Sequence, residues 1–187
     1  MLETAVKPMS VRLGDPFDIR KENFSDEITF YGPGLKPHST SEFSGSMKEF
    51  VSISVTGNNC ALNCEHCNTK MLDNMLDLPS FDGSLFDMAK SLQEKGTKGI
   101  LVSGGSNIWN QVPLLSHIDD MKRIRAELGM VIRVHPGLPD EETCDALADV
   151  CVDGVMLDII GDQETITDVY HLDAKPSDYE AVLERLQ

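Results

Sequence analysis

Three of the chain's five cysteines fall within eight residues, in the run Cys60-Ala61-Leu62-Asn63-Cys64-Glu65-His66-Cys67. The C-x3-C-x2-C spacing lets one loop present three thiolates to a single inorganic centre, and thiolates are the ordinary ligands of iron–sulfur clusters. Three ligands serve four irons, so one iron keeps an open position, as chemistry at a metal requires. A structural zinc site is the alternative, because His66 lies inside the run and Cys and His are also zinc ligands. Closed zinc sites usually come as two separated pairs, and no second pair follows at suitable spacing. An odd number of cysteines, three of them crowded, is a poor start for a disulfide framework, so a reduced compartment and a metal are expected.

Other residues of chemical interest lie where predicted strands end. Arg133 and His135 alternate on one strand, which sends both side chains to the same face. A basic residue there could meet the carboxylate of a ligand, or the two could be a satisfied structural pair. Asp158 interrupts an apolar strand, and buried carboxylates are rare unless paired. Asp162 follows Gly161 and reads as a cap for the next helix. Cys144 and Cys151, seven apart, are expected to pack in the core, with ligation of an auxiliary cluster as the alternative. Trp109 is expected to line a pocket or to cover the ends of the strands. Met71, Met75 and Met88 read as packing.

The elements that must position these residues are legible from periodicity. Phe50–Val55 alternates apolar and small polar residues and reads as a strand running into the cysteine loop. Helical spacing over Asp82–Lys95 stops at Gly96, a buried strand follows at Gly99–Val102, and a second helix pattern spans Leu114–Leu128 before Gly129. Val131–Val134 is a third strand and Asp140–Ala148 a third helix, with acids in its first turn facing the helix dipole. Val155–Ile160 reads as a fourth strand. Glu164–Tyr170 reads as a short helix, and Pro176–Gln187 begins another with Pro in its first turn. Strands alternating with helices at this spacing predict parallel β/α units. The fold class expected is α/β, a parallel (β/α) partial barrel stopping after about four units, where a closed barrel has eight strands in ~250 residues. Residues 1–48, rich in Gly, Pro, Ser and charge, read as an irregular leader with a short strand at 28–31, and 49–187 as the barrel domain.

The chain of 187 residues is 41% hydrophobic, enough for a core. Its 31 acidic against 16 basic residues give a formal charge of −15, which disfavours nucleic-acid backbones and anionic membranes as partners. No apolar run approaches the ~20 residues of a membrane span, and no signal peptide is evident, so a cytoplasmic location is expected.

The cysteine run, placed just after the first strand, resembles the signature of the radical S-adenosylmethionine (SAM) superfamily. The resemblance implies a [4Fe–4S] cluster on Cys60, Cys64 and Cys67, and SAM bound to the open iron through its amino and carboxylate groups. It also implies an external electron donor and a 5′-deoxyadenosyl radical that abstracts hydrogen from a substrate. His66 stands where the family carries an aromatic residue near adenine. Ser103-Gly104-Gly105-Ser106 resembles the family's Gly-Gly-Glu turn, whose backbone approaches the methionine amino group. Ser106 replaces the Glu, which leaves Asn107 or a backbone carbonyl for that contact, and the alternative is a glycine turn with no ligand. Arg133 and His135 would meet the SAM or substrate carboxylate, and Asp158 stands where a polar residue holds ribose or substrate. The resemblance names no catalytic side chain.

A narrower likeness joins Tyr31-Gly32-Pro33-Gly34, Asp158-Ile-Ile-Gly-Asp162 and Val169-Tyr170-His171-Leu172-Asp173. Together they resemble biotin synthase-like proteins, among them the two-component archaeal-type lipoyl synthases. It implies sulfur insertion in lipoyl cofactor synthesis, with a second radical SAM subunit and a lipoyl-carrier protein as partners. One departure is plain: no cysteine precedes Cys60, where single-chain lipoyl synthases carry a second triplet. Two other classes stay open: a radical SAM enzyme making another small cofactor by methylation or carbon-skeleton change, and a non-enzymatic iron–sulfur or zinc-binding protein.

Overall fold

The computed structural model describes residues 49–186, together with Asp18, Lys21 and Glu22, which are helical. Contacts divide the chain into two units, 1–36 and 37–187. Apart from those three residues, the expected leader and its strand at 28–31 lie outside the described residues.

The second unit is built on five strands: β1 (Phe50–Ser54), β2 (Leu76–Asp77), β3 (Gly99–Ser103), β4 (Val131–Val134) and β5 (Gly154–Val155). They form one sheet in the order β2-β1-β3-β4-β5, and every ladder is parallel. The α/β class with a parallel sheet is therefore observed. Ile53, Ile100, Val102, Ile132 and Val134 are completely buried, and they share one core with the apolar faces of the helices. Residues of the opposite pleat, such as Phe50 and Val131, remain 42% and 40% exposed. A parallel sheet ordinarily buries both faces; here that second face is open at Phe50 and Val131 but buried at Ser54 and Ser103, at the carboxyl ends of β1 and β3.

Each helix begins and ends for a local reason. Helix α1 (Leu85–Glu94) starts in a capping box, Ser84 Oγ accepting from the Asp87 N–H at 3.2 Å while the Asp87 carboxylate accepts from the Ser84 N–H at 3.0 Å. The expected single helix over 114–128 is three pieces in continuous chain. A 3-10 turn (Leu114–His117) leads into α2 (Ile118–Arg123) and then a π turn (Ile124–Leu128), stopped by Gly129 at φ +60°. Helix α3 (Glu141–Val150) is capped by Asp140, which accepts from the Thr143 N–H at 2.9 Å. Helix α4 (Pro176–Arg185) carries Pro at its start, as expected.

Two strand expectations need correction. The fourth expected strand, Val155–Ile160, is reduced to β5, because its partner β4 runs out. Met156 still donates to Val134 O at 2.8 Å, but Pro136 has no N–H, and its carbonyl already accepts from Val112. Strand β2 was not anticipated: two residues carry no readable period, and Leu76 and Asp77 are both exposed. Among the described residues no helix is long and apolar enough to cross a membrane.

The β4–β5 edge depends on one carboxylate. Asp153 accepts from the Ile132 N–H at 2.8 Å and from Arg125 at 3.0 Å, while its own N–H donates to Ile132 O. Asp153→Ala leaves the Ile132 N–H without that partner and is expected to cost about 1–2 kcal/mol in urea unfolding; a loss within error would show the edge is held otherwise.

Candidate metal centre

The cysteine loop leaves the carboxyl end of β1 and is clamped on two sides by backbone. Ala61 donates to Ser106 O at 2.8 Å, in the loop after β3, and Glu65 donates to Val169 O at 2.9 Å, in the helical turn Thr165–Val169. Inside the loop, Cys67 and Asn68 both donate to Cys64 O, closing a tight turn. Asn63, Asn68 and Thr69 take left-handed backbone with φ of 49°, 47° and 60°, conformations that Asn tolerates better than most residues. Gly105 fits because it is glycine: a Cβ there would collide with the Asn59 carbonyl and stand 2.6 Å from Cys60 Cβ. Its N–H donates to Thr56 Oγ1 at 2.7 Å.

The three thiols do not share one environment. Burial pushes the Cys60 thiol up, but the backbone of Asn63, Ser106 and Leu62 and the Ser106 hydroxyl together outweigh it and hold the group below its ordinary value. Cys64 is buried, and its thiol is pushed up to about 11 by that burial and by the neighbouring charges of Cys67 and Cys60, against which only its own backbone acts. As a thiol, Cys64 Sγ lies 3.8 Å from Tyr170 O. Cys60 and Cys67 are half-buried and pack against the apolar cluster of Leu62, Cys64, Ile160, Ile166, Leu172 and Tyr179.

Beside the loop stands a polar group drawn from the far strands. His135 Nε2 lies 3.4 Å from Asp158 Oδ2. That hydrogen bond outweighs partial burial and keeps the Asp158 carboxyl below its ordinary range, helped by the charges of His135 and His66. His66 stacks at a tilt on Tyr170, ring centroids 4.6 Å apart. Burial, Asp158, Cys64 and Cys67 all push the Tyr170 phenol up.

The predicted residues therefore divide. Cys60, Gly105 and Ser106 line a cleft of about 720 Å³ that extends to Asp140 and Thr143 at the start of α3. His66 stacks on Tyr170 and His135 pairs with Asp158, and none of the three lines that cleft. Ser103 is buried and spends its hydroxyl on His135 O at 2.9 Å. A Cβ on Gly104 would meet Thr56 Oγ1 at 2.9 Å, so both glycines press on the chain that follows β1. Arg133 shares the pleat of His135, as alternation requires, but it lies against Gly154 and contributes charge to Asp153. Asp158 is paired yet exposed, not buried as expected, because the chain at that point has left the sheet.

Asp162 caps the next turn, accepting from the Thr165 N–H at 2.7 Å. Cys144 is in the core, whereas Cys151 is exposed: α3 ends at Val150, and Cys151 itself takes left-handed backbone, φ 55°. Trp109 and Met71 are 66% and 68% exposed, so Met71 is not core packing, and Trp109 stands largely in the open and does not line the cleft beside Cys60. Tyr170, Tyr179 and Thr56 were not singled out from the sequence. Tyr170 stood inside a quoted motif without a role, and Tyr179 reads as an ordinary apolar position of an amphipathic helix.

Among the described residues no group of three or more His, Cys, Asp or Glu side chains stands in metal-holding geometry. The donor chemistry nonetheless fits a cluster: three soft thiols on one clamped loop, one of them with thiolate-stabilising donors in place. Gly105→Ala is expected to cost about 1–3 kcal/mol in thermal unfolding through overpacking and to displace Cys60; an unchanged Tm would mean the loop yields freely. His135→Ala should let the Asp158 carboxyl titrate upward toward the ordinary carboxylate range, read by carbon NMR. A folded-state value below the unfolded one adds stability above the ordinary carboxyl range and loses it as pH falls through the folded value, here by no more than ~1 kcal/mol because the pair is exposed.

Comparison with protein-family models gives no match to this chain, and no curated protein matches it.

Proposed function

We propose that this chain is a radical SAM enzyme or the part of one that carries the cluster, with Cys60, Cys64 and Cys67 as the cluster ligands. The observation that carries the proposal is the clamped three-thiol loop at the carboxyl end of β1, where parallel α/β folds collect ligands. A bound [4Fe–4S] cluster would supply the electron that cleaves SAM to a 5′-deoxyadenosyl radical. The chain's own residues bind and orient. Donors at Cys60 favour its thiolate. Cys64, whose thiol is costly to ionise alone, gains from a cation that offsets its charge, since metal binding drives off the proton. The His135–Asp158 pair keeps a carboxylate ionised close to the loop, which suits a cationic or hydroxyl-bearing part of SAM or substrate. His66, stacked on Tyr170, gives an aromatic platform at the position where the family places one near adenine. The cleft beside Cys60, Gly105 and Ser106 is open space on the other side of the loop. A cytoplasmic location and an external electron donor belong to the same proposal.

The test is anaerobic reconstitution with iron and sulfide, followed by dithionite and SAM. The expected result is iron–sulfur charge-transfer absorbance and release of 5′-deoxyadenosine, both abolished by Cys60→Ala, Cys64→Ala or Cys67→Ala. Tetrahedral zinc in X-ray absorption, or a clustered protein that never cleaves SAM, would overturn it.

A further inference from the structure

Tyr179, on α4, is 1% exposed, and its hydroxyl is buried with no hydrogen-bond partner. It belongs to the same apolar cluster as Leu62 and Cys64. A buried donor without an acceptor is uncommon enough to require a reason. The Asn110 side chain lies near the phenol without closing a hydrogen bond of good geometry. An ordinary phenol keeps its proton at neutral pH and so remains a donor.

The sulfur of Cys64 has the complementary need. Cys60 Sγ lies 3.8 Å from the Ser106 hydroxyl, a group able to donate, whereas the polar neighbour of Cys64 Sγ is a carbonyl. That carbonyl, of Tyr170, lies 3.8 Å from the sulfur and accepts from it, which suits a thiol and opposes a thiolate. When Cys64 becomes a metal ligand it loses the proton that made this contact favourable, and a carbonyl cannot donate in its place.

We propose that the Tyr179 hydroxyl is the hydrogen-bond donor reserved for the Cys64 side of the cluster, a positioning residue that raises the reduction potential of the metal centre. The proposal rests on the cluster assignment above. A hydrogen bond to a cluster sulfur withdraws negative charge and favours the reduced form.

The experiment is an EPR-monitored redox titration of the reconstituted full chain as wild type, Tyr179→Phe and Asn110→Ala, with iron and sulfide content measured for each. Tyr179→Phe is expected to load fully, to shift the midpoint potential downward, and to lose a deuterium-sensitive component of the Fe–S stretching bands in resonance Raman. Asn110→Ala is expected to leave the potential in place. A fully loaded Tyr179→Phe protein with unchanged potential overturns the proposal and leaves the phenol a structural neighbour of Asn110. Should Tyr179→Phe fail to fold, fluorotyrosine at position 179 replaces it: a more acidic donor must raise the potential, and no shift overturns the proposal. A wild-type chain that takes up no cluster shows itself before any variant is compared, and then the cluster assignment fails along with the inference.

Discussion

The close approach of the turn after β3 to the chain leaving β1 is the constraint on which the rest of the site depends. Gly105 has no room for a side chain, its N–H is fixed on Thr56 Oγ1 at 2.7 Å, and the next residue's carbonyl takes the Ala61 N–H. The loop from Asn59 to Cys67 is thus laid on a rigid strand end and held from the far side by Val169. Ordering a loop of this length costs conformational entropy, about 1–2 kcal/mol per residue. Here the fold meets that cost through backbone hydrogen bonds and apolar contacts, so a ligand at the thiols need not.

That placement also sets the electrostatics. Cys60 faces the backbone of Leu62 and Asn63 in its own loop and the Ser106 backbone and hydroxyl that the turn after β3 brings to it, whereas Cys64 turns into an apolar cluster with two other thiols as neighbours. One loop therefore presents a sulfur easily made anionic and another that resists ionisation. A protein of formal charge −15 adds nothing in bulk to favour more anions. Relief has to come locally, from hydrogen-bond donors or from a cation at the sulfurs, and the difference between the two cysteines follows from which elements pack on each.

Much of the framework was legible in the sequence because it repeats. Val131–Val134 was delimited to the residue, and α1 and α3 to within a few residues, since apolar spacing, the stop at Gly96 and the acids that open α3 are local signals. Val155–Ile160 misled for the opposite reason. Apolar β-formers describe what a segment could pair, and pairing needs a neighbour; β4 had given way to Pro136 by then. Leu76–Asp77 is invisible to periodicity because two residues have none. Asp158 followed the same error: its isolation among apolar residues suggested burial, while its position beyond the end of β5 leaves it exposed and within reach of His135.

The candidate site shows where reading by residue type stops. A glycine pair at a strand end announces a close approach, but not what approaches; in this fold it is the cysteine loop's own backbone at Asn59. A cysteine triplet announces ligands, but not the partners each sulfur will find: the Ser106 hydroxyl at Cys60 and the Tyr170 carbonyl at Cys64 lie 46 and 106 residues away in sequence. Tyr179 is the limiting case. Its helical period marks it as core, which it is, and nothing in that period reveals that a polar atom is carried into the core without a partner. Such an atom becomes visible only when the packing is known. In a site built from sulfur, where the neutral thiol and the ligand thiolate want opposite neighbours, an unspent donor in the same apolar cluster as Cys64 carries information that no spacing rule contains.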